Sequence, residues 1–320
     1  AYHKEGKSAN PSFPLPQEHF LHGLWHHIRC SPVNRADIIG AESFERGQRV
    51  EFWKMNGAGN DFIILNNLAE KLPESAFPAL ARRLCERHLS IGADGLIVVD
   101  AAQDRGDYRM RFYNSDGSLG EMCGNGARCV CRYGCETGLA GEKQTVETTA
   151  GLVTGTRIDR RQYRVQLNSP TVIRLHEAPV VEGKAWPCAY VELGSPGLPH
   201  AVVPYPGLAD ADLQALLQLG KALRSHPAFP KGANVNYCRL TGPGEAQVLT
   251  FERGVEDFTL ACGTGCGSTA CVLWKMGLLP ENKLTAQVPG GTLRVWVEGG
   301  EQVTRLLLEG PTEITEVLEG

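Results

Sequence analysis

The chain has 320 residues, 42% of them hydrophobic and 21% charged, enough for one large or two ordinary domains around a sizeable core. A formal net charge of -4 without a long basic run argues against nucleic acid or an anionic membrane surface as partner, and a small molecule is the expected ligand. No apolar stretch approaches the roughly 20 residues that cross a bilayer and no signal-like pattern opens the chain, so a soluble, cytoplasmic protein is expected.

Residues 1–49 hold five of the nine histidines, several prolines and no sustained period of 2 or 3.6. They are expected to be an extension outside the fold, disordered or added for expression. From Val50 the texture changes to short β-rich runs separated by Gly, Asn, Asp and Pro. Strands are expected over Phe62–Leu65, Leu96–Val99, Arg109–Tyr113 and Arg164–Leu167. A second series follows at Tyr190–Leu193, Ala201–Val203, Val235–Tyr237, Val248–Phe251, Leu293–Val297 and Val303–Leu308. Helical patterns occupy Ser75–Leu89, Asn125–Thr137, Ala211–Leu223 and Gly265–Met276. The whole reads as an α+β chain of two similar halves, with the junction at Asn168-Ser169-Pro170.

Two segments repeat across those halves. Cys123-Gly124-Asn125-Gly126 and Cys262-Gly263-Thr264-Gly265 each follow a strand and open a helix, and Phe112 and Phe251 each stand eleven residues before their cysteine. Gly138 and Gly277 close the two helices as C-terminal glycines do. A cysteine at a helix N-terminus meets unpaired N–H groups and partial positive charge, which lower a thiol pKa. The flanking glycines keep the turn free of bulk, so successive N–H groups can face a carboxylate. If the halves face each other across a pseudo-twofold axis, one thiolate removes an α-proton and the opposite thiol delivers one to the other face. That chemistry inverts the α-carbon of an amino acid.

The chain holds eleven cysteines, an odd number in a long chain, which argues for reduced thiols over a secreted disulfide scaffold. Cys123, Cys129, Cys131 and Cys135 crowd into thirteen residues, but no C-x-x-C pair occurs and helical positions so spaced do not converge on one metal. No metal site is expected.

The same segments, with Met55-Asn56-Gly57-Ala58-Gly59-Asn60-Asp61-Phe62, Gly92-Ala93-Asp94-Gly95, Phe112-Tyr113-Asn114-Ser115-Asp116-Gly117-Ser118 and Glu252-Arg253-Gly254, resemble the diaminopimelate epimerase family over about residues 50–320. The resemblance implies interconversion of LL- and meso-diaminopimelate, for lysine and peptidoglycan precursor synthesis, without pyridoxal phosphate, metal or other cofactor. It also implies two pseudo-symmetric α/β domains with the site in the cleft between them: residues 50–168, with 310–320 returning to them, and 169–309. By the same resemblance Cys123 and Cys262 are the catalytic acid/bases, and the amides of Gly124, Asn125, Gly263 and Thr264 hold the α-carboxylate. Asn60, Asn114 and Asn234 match substrate-contacting asparagines, Glu252 and Arg253 an acid-base pair, and His200 and Glu252 tune the thiols. A homodimer is implied as well.

The sequence departs from the family pattern where Leu198 replaces a common asparagine, Gly95 a glutamine and Phe258 a glutamate, with one extra residue between Arg253 and Cys262. Those changes spare the thiols and bear on substrate choice. They keep open a racemase of another amino acid, such as lysine or histidine. A non-catalytic, thiol-rich metal-binding protein is the remaining alternative.

Overall fold

A computed structural model of the protein describes residues 50–319 except Glu121; the extension expected at residues 1–49, with its histidines, lies outside the described residues. The first half contains β1 (Glu51–Gly57), β2 (Asn60–Asn66), α1 (Asn67–Glu70), α2 (Phe77–Cys85), β3 (Gly95–Asp100), β4 (Tyr108–Asn114), α3 (Gly124–Glu136), β5 (Lys143–Thr148), β6 (Gly151–Arg157) and β7 (Gln162–Leu167). The chain continues through β8 (Pro170–Glu177), β9 (Val180–Val181), β10 (Lys184–Ala185), β11 (Cys188–Leu193), β12 (Leu198–Pro204), α4 (Leu213–Arg224), β13 (Asn234–Gly242) and β14 (Glu245–Glu252). It ends with β15 (Asp257–Thr259), α5 (Gly263–Lys275), β16 (Lys283–Val288), β17 (Gly291–Gly299), β18 (Val303–Pro311) and β19 (Glu313–Glu319).

Strand pairing makes the duplication explicit. From β1 to β7 successive neighbours run antiparallel, parallel, antiparallel, parallel, antiparallel and antiparallel. The same order recurs along β11, β12, β13, β14, β16, β17 and β18. Each half lends its last strand to the other, because β8 pairs with β11 and β19 pairs with β1. An antiparallel β7–β18 ladder joins the halves directly.

Both faces of the central strands are covered, which explains their nearly unbroken apolar runs. In β2, Phe62 and Ile64 face the main core with α3, whereas Ile63 and Leu65 face Leu80 and Leu84 of α2. In the second half Val202 and Val248 face the main core with α5, and Val203 and Leu249 face Leu216 and Leu223 of α4. Each such leucine contributes about 1.5–3 kcal/mol of burial. Helices α3 and α5 are enclosed within their halves, with Gly124 to Gly134 buried without interruption in the first. A helix so placed is buried around much of its circumference; α5 is mostly small and apolar to match, whereas α3 also encloses Arg128, Arg132 and Tyr133.

The expected helices are all present, with shifted ends. The first stops at Cys85, short of Leu89, because Glu86 turns extended and His88 adopts a positive φ of 74°. That turn carries Arg87 to Asp61 and Asp94, and leaves Leu89 84% exposed. Strands β1, β5, β6, β8, β16 and β19, and the short β9, β10 and β15, were not expected from the sequence. Lys, Glu, Gln and Gly interrupt the longer segments and weaken their intrinsic β signal, and pairing with neighbours in the ladder completes them.

The repeat register also needs correction by one residue. Leu96 pairs with Tyr113, and its counterpart Val235 pairs with Phe251, so Tyr113 and not Phe112 is the equivalent of Phe251. Tyr113 and Phe251 both pack toward the outer helices, whereas Phe112 lies on the opposite face. A one-residue slip always exchanges faces. The second half simply has one more residue between strand and cysteine.

Candidate active site

The two thiols sit in matching turns. Cys123 is the N-cap of α3 with φ -118° and ψ 114°, and Cys262 is the N-cap of α5 with φ -112° and ψ 105°. Each sulfur accepts from the amide three residues on, Gly126 N at 3.4 Å and Gly265 N at 3.3 Å. The amides of Gly124, Asn125, Gly263 and Thr264, at the first positions of the helices, have no helical acceptor and are available to an anion.

These turns meet. A Cβ placed on Gly263 would stand 3.9 Å from Gly124 Cα, 3.6 Å from Asn125 Oδ1 and 2.6 Å from Leu308 Cδ2. The same leucine carbon would lie 3.0 Å from a Cβ on Gly124, so Leu308 lies beneath both turns and must shift for any larger residue there. The Asn125 side chain ties the halves together, donating to Asn60 Oδ1 at 2.6 Å and to Ala261 O, beside Cys262, at 2.9 Å.

Electrostatically the site differs from the expectation of low thiol pKa values. Burial pushes Cys123 up to about 11, against the N–H groups of Gly126 and Asn125, and the Glu252 charge raises it further. Burial and then Glu252 also raise Cys262, which is 7% exposed, while Thr264 and Gly265 act in the lowering direction. Desolvation simply outweighs the helix N-terminus. The charge of Glu252 therefore acts on both sulfurs. Its own carboxyl is raised by burial, with Thr259 Oγ1 donating at 3.0 Å and the Cys262 thiol also favouring its charged form.

His200 is fully buried, and burial followed by Arg253 depresses it to about 3, so its ring is neutral at ordinary pH. Its Nδ1 lies 3.3 Å from Asn236 Nδ2, its Nε2 has no partner, and neither nitrogen is bonded to a thiol. Asn236 in turn accepts from Thr250 Oγ1 at 2.9 Å and backs Gly265, where a Cβ would stand 2.2 Å from Asn236 Oδ1. The ring thus supports the Cys262 turn from behind.

The remaining residues surround this centre. Asn60 donates to Asp94 Oδ2 at 2.7 Å, Asn114 to Ser118 Oγ at 2.9 Å, and Asn234 accepts from Arg253 N at 2.8 Å. Arg253 also donates from Nη1 to Lys231 O at 2.8 Å. A cavity of about 210 Å³ opens beside both turns, lined by Met122, Thr264, Leu193, Pro196 and Leu198 among others. The larger depression of about 580 Å³ around Arg132, Arg160, Arg161 and Glu313 holds none of these groups. Among the described residues no group of three or more His, Cys, Asp or Glu side chains is placed to hold a metal ion.

Pairing also places the departures at Leu198 and Gly95. Phe62 pairs with Gly95 as His200 pairs with Asn234, so Asn60 at the head of β2 corresponds to Leu198 at the head of β12, and Gly95 to Asn234. Sequence reasoning missed Asp94, Asn236 and Arg128, whose contributions are tertiary; only the run Cys123-Gly124-Asn125-Gly126-Ala127-Arg128 placed the arginine nearby.

A duplicated α+β fold whose halves each present a thiol at a helix N-terminus, the two turns in contact, defines the amino-acid racemase and epimerase class of isomerases. Solved structures share that fold. A PhzF-family phenazine biosynthesis protein from Bacillus anthracis superposes with a TM-score of 0.67 at 15% identity, covering 86% of this chain and 99% of the other. A hydroxyproline epimerase from Agrobacterium vitis, with bound trans-4-hydroxy-L-proline, gives 0.65 at 15% identity, covering 85% and 92%. In sequence, the profile of the family described as Diaminopimelate epimerase matches residues 52–173 and 194–312. Diaminopimelate epimerase of Aquifex aeolicus is 35% identical over 281 residues, 85% of this chain and 97% of that protein. That of Desulforudis audaxviator is 38% identical over 290 residues, 85% and 98%. The chain belongs to the diaminopimelate epimerase family.

Proposed function

We propose that this chain interconverts LL- and meso-diaminopimelate by a two-base mechanism, with Cys123 and Cys262 exchanging the roles of thiolate base and thiol acid. The observation that carries the reading is the contact between two matched Cys-Gly-x-Gly turns across the junction of the halves. The amides of Gly124, Asn125, Gly263 and Thr264 hold the α-carboxylate and stabilise charge as it spreads toward an enolate. One sulfur takes the α-proton and the other returns a proton to the opposite face, so the centre inverts. Glu252, whose charge acts on both sulfurs, relays the thiol proton. Asn60, Asn114, Asn234 and Arg253 frame the rest of the substrate, supplying donors, acceptors and a cation for its second amino and carboxylate groups. His200 holds the Cys262 turn in place through Asn236.

The catalytic domains comprise residues 50–168 with the 310–320 return, and 169–309, in line with the exchange of β8 and β19. All ten described cysteines are free, which fits a reducing cytoplasm, and no described helix is long and apolar enough to cross a membrane. The enzyme works as a homodimer, testable by light scattering.

Apolar Leu198 and Gly95, at positions mirrored by Asn60 and Asn234, favour one second reading: a racemase of lysine or histidine. Incubation in deuterated water with LL-diaminopimelate, lysine and histidine separately decides between them. Fastest α-proton exchange with LL-diaminopimelate is expected; exchange confined to lysine or histidine would overturn the first reading.

A further inference from the structure

Arg128 is fully buried in the first turn-and-a-half of α3, yet among the described residues no carboxylate pairs with it. Its Nη1 donates to Gly124 O at 3.2 Å, its Nη2 to Asn125 Oδ1 at 2.9 Å, and its Nε has no partner. The β18 backbone makes room for it: a Cβ on Gly310 would lie 3.1 Å from Arg128 Cζ. A buried cation without a counter-charge is costly, and replacing such a group by an apolar side chain commonly costs little stability. Its retention needs a cause.

Two consequences follow from its contacts. By engaging Asn125 Oδ1, the guanidinium fixes which end of that amide faces Asn60 and Ala261, so both Nδ2 hydrogens are directed at acceptors. An inverted Asn125 would present its amino group to the cation and lose both links, freeing the Cys123 turn from the chain just before Cys262. The second consequence is electrostatic: a charge with no carboxylate of its own lies directly behind a turn that must hold a carboxylate and a thiolate.

We propose that Arg128 is a positioning residue that sets the alignment of the two cysteine turns through Asn125 and provides the buried positive charge balancing the anions formed there. The groups facing it are Cys123, Cys129 and Cys266, and Cys123 also feels Glu252, whose negative charge acts in the opposite sense. Its charge favours the Cys123 thiolate and the bound carboxylate alike. The inference rests on the two-thiol reading above, but its main readout, the ionisation of Cys123, needs no substrate.

The test compares Arg128→Met, Arg128→Lys and Arg128→Ala by thermal melting, by epimerisation of LL-diaminopimelate, and by the pH midpoint of Cys123 alkylation with iodoacetamide, read by mass spectrometry. Arg128→Met is expected to fold, lose about 10²–10³-fold in kcat, and show a higher alkylation midpoint. Arg128→Lys keeps the charge but not the two-point contact, so its midpoint stays near that of the parent while kcat falls. Added guanidinium should partly restore Arg128→Ala and urea, of the same shape without charge, should not. Parental kcat in the folded Met variant, or equal rescue by urea, overturns the proposal. If the Met variant does not fold, the Lys variant decides: parental kcat there refutes the alignment role. Absence of turnover in the parent protein with unperturbed alkylation behaviour would instead strike the substrate assignment alone.

Discussion

Replacing Glu252 by Gln separates two effects that the site combines. Cys123 is pushed from an ordinary 9.0 to about 11. At pH 8 such a thiol is ionised to about one part in a thousand, so a base must take its proton for the reaction to run. Glu252 is that base in the proposed mechanism, its carboxyl raised above the ordinary range by its own burial. Its negative charge also raises both thiols, after burial in each case. Removing the charge therefore lowers both thiol pKa values and increases thiolate at fixed pH. The gain is bounded by the whole displacement of Cys123, about a hundredfold, and should be a fraction of it because burial is the larger cause. If thiolate abundance alone set the rate, Glu252→Gln would be faster. With Glu252 as proton relay, kcat falls by about 10²–10⁴ although the thiols ionise more easily. The assay pairs turnover of LL-diaminopimelate, followed by deuterium incorporation, with the pH dependence of iodoacetamide alkylation at each cysteine. Slower turnover with lower alkylation midpoints supports the reasoning. Undiminished turnover, or midpoints that rise, would refute it.

Cys123→Ala and Cys262→Ala should each abolish inversion, with losses above about 10³-fold, while circular dichroism and melting stay near the parent; turnover retained in both would remove the two-base mechanism. Gly263→Ala places a methyl 2.6 Å from Leu308 Cδ2 and should cost about 1–3 kcal/mol in urea unfolding, with a raised KM as the turns part. Gly263→Ala in combination with Leu308→Ala should recover part of the loss; no recovery would mean that the clash is not the cause. His200, held near 3 against an ordinary 6.5, contributes stability fully present above pH 6.5 and lost as pH falls toward 3. Stability should decline through that window by about 1.4 kcal/mol per pH unit, and His200→Gln should flatten the decline in unfolding titrations.

What the sequence made legible was local. The paired cysteine turns, their glycines and the helices they open are read from residues within a few positions of each other, and every expected helix is found. Several strands were invisible, since β6 and β19 carry little apolar periodicity and exist because β5 and β7 flank the first and β1 offers hydrogen bonds to the second. The thiol pKa values were misjudged for a related reason. A helix N-terminus is visible in sequence, but the burial that outweighs it is tertiary, with the two turns packed against each other and over Leu308, and the charge of Glu252 adds to it. Arg128 was passed over because an arginine at a helical position reads as a solvated face until the enclosure of α3 is known.

The duplication also accounts for where symmetry is kept and where it is broken. Inversion of one carbon requires that its two faces be treated alike, and the cysteines, their glycines, their cap dihedrals and their Sγ contacts are nearly identical in the two halves. The rest of an amino acid lies to one side of that carbon, so identical walls would recognise it poorly. Around the thiols the equivalent positions diverge: Asn60 against Leu198, Gly95 against Asn234, Asn114 against Glu252. At the first two pairs an amide stands on one side only, and at the third an amide opposes a buried carboxylate. In the proposed mechanism the reaction is thus carried by what the halves share and recognition by what they do not. On that reading a change of substrate in this protein needs substitutions at the heads and ends of β2, β12, β3, β13, β4 and β14, and none at the turns that bear the sulfurs.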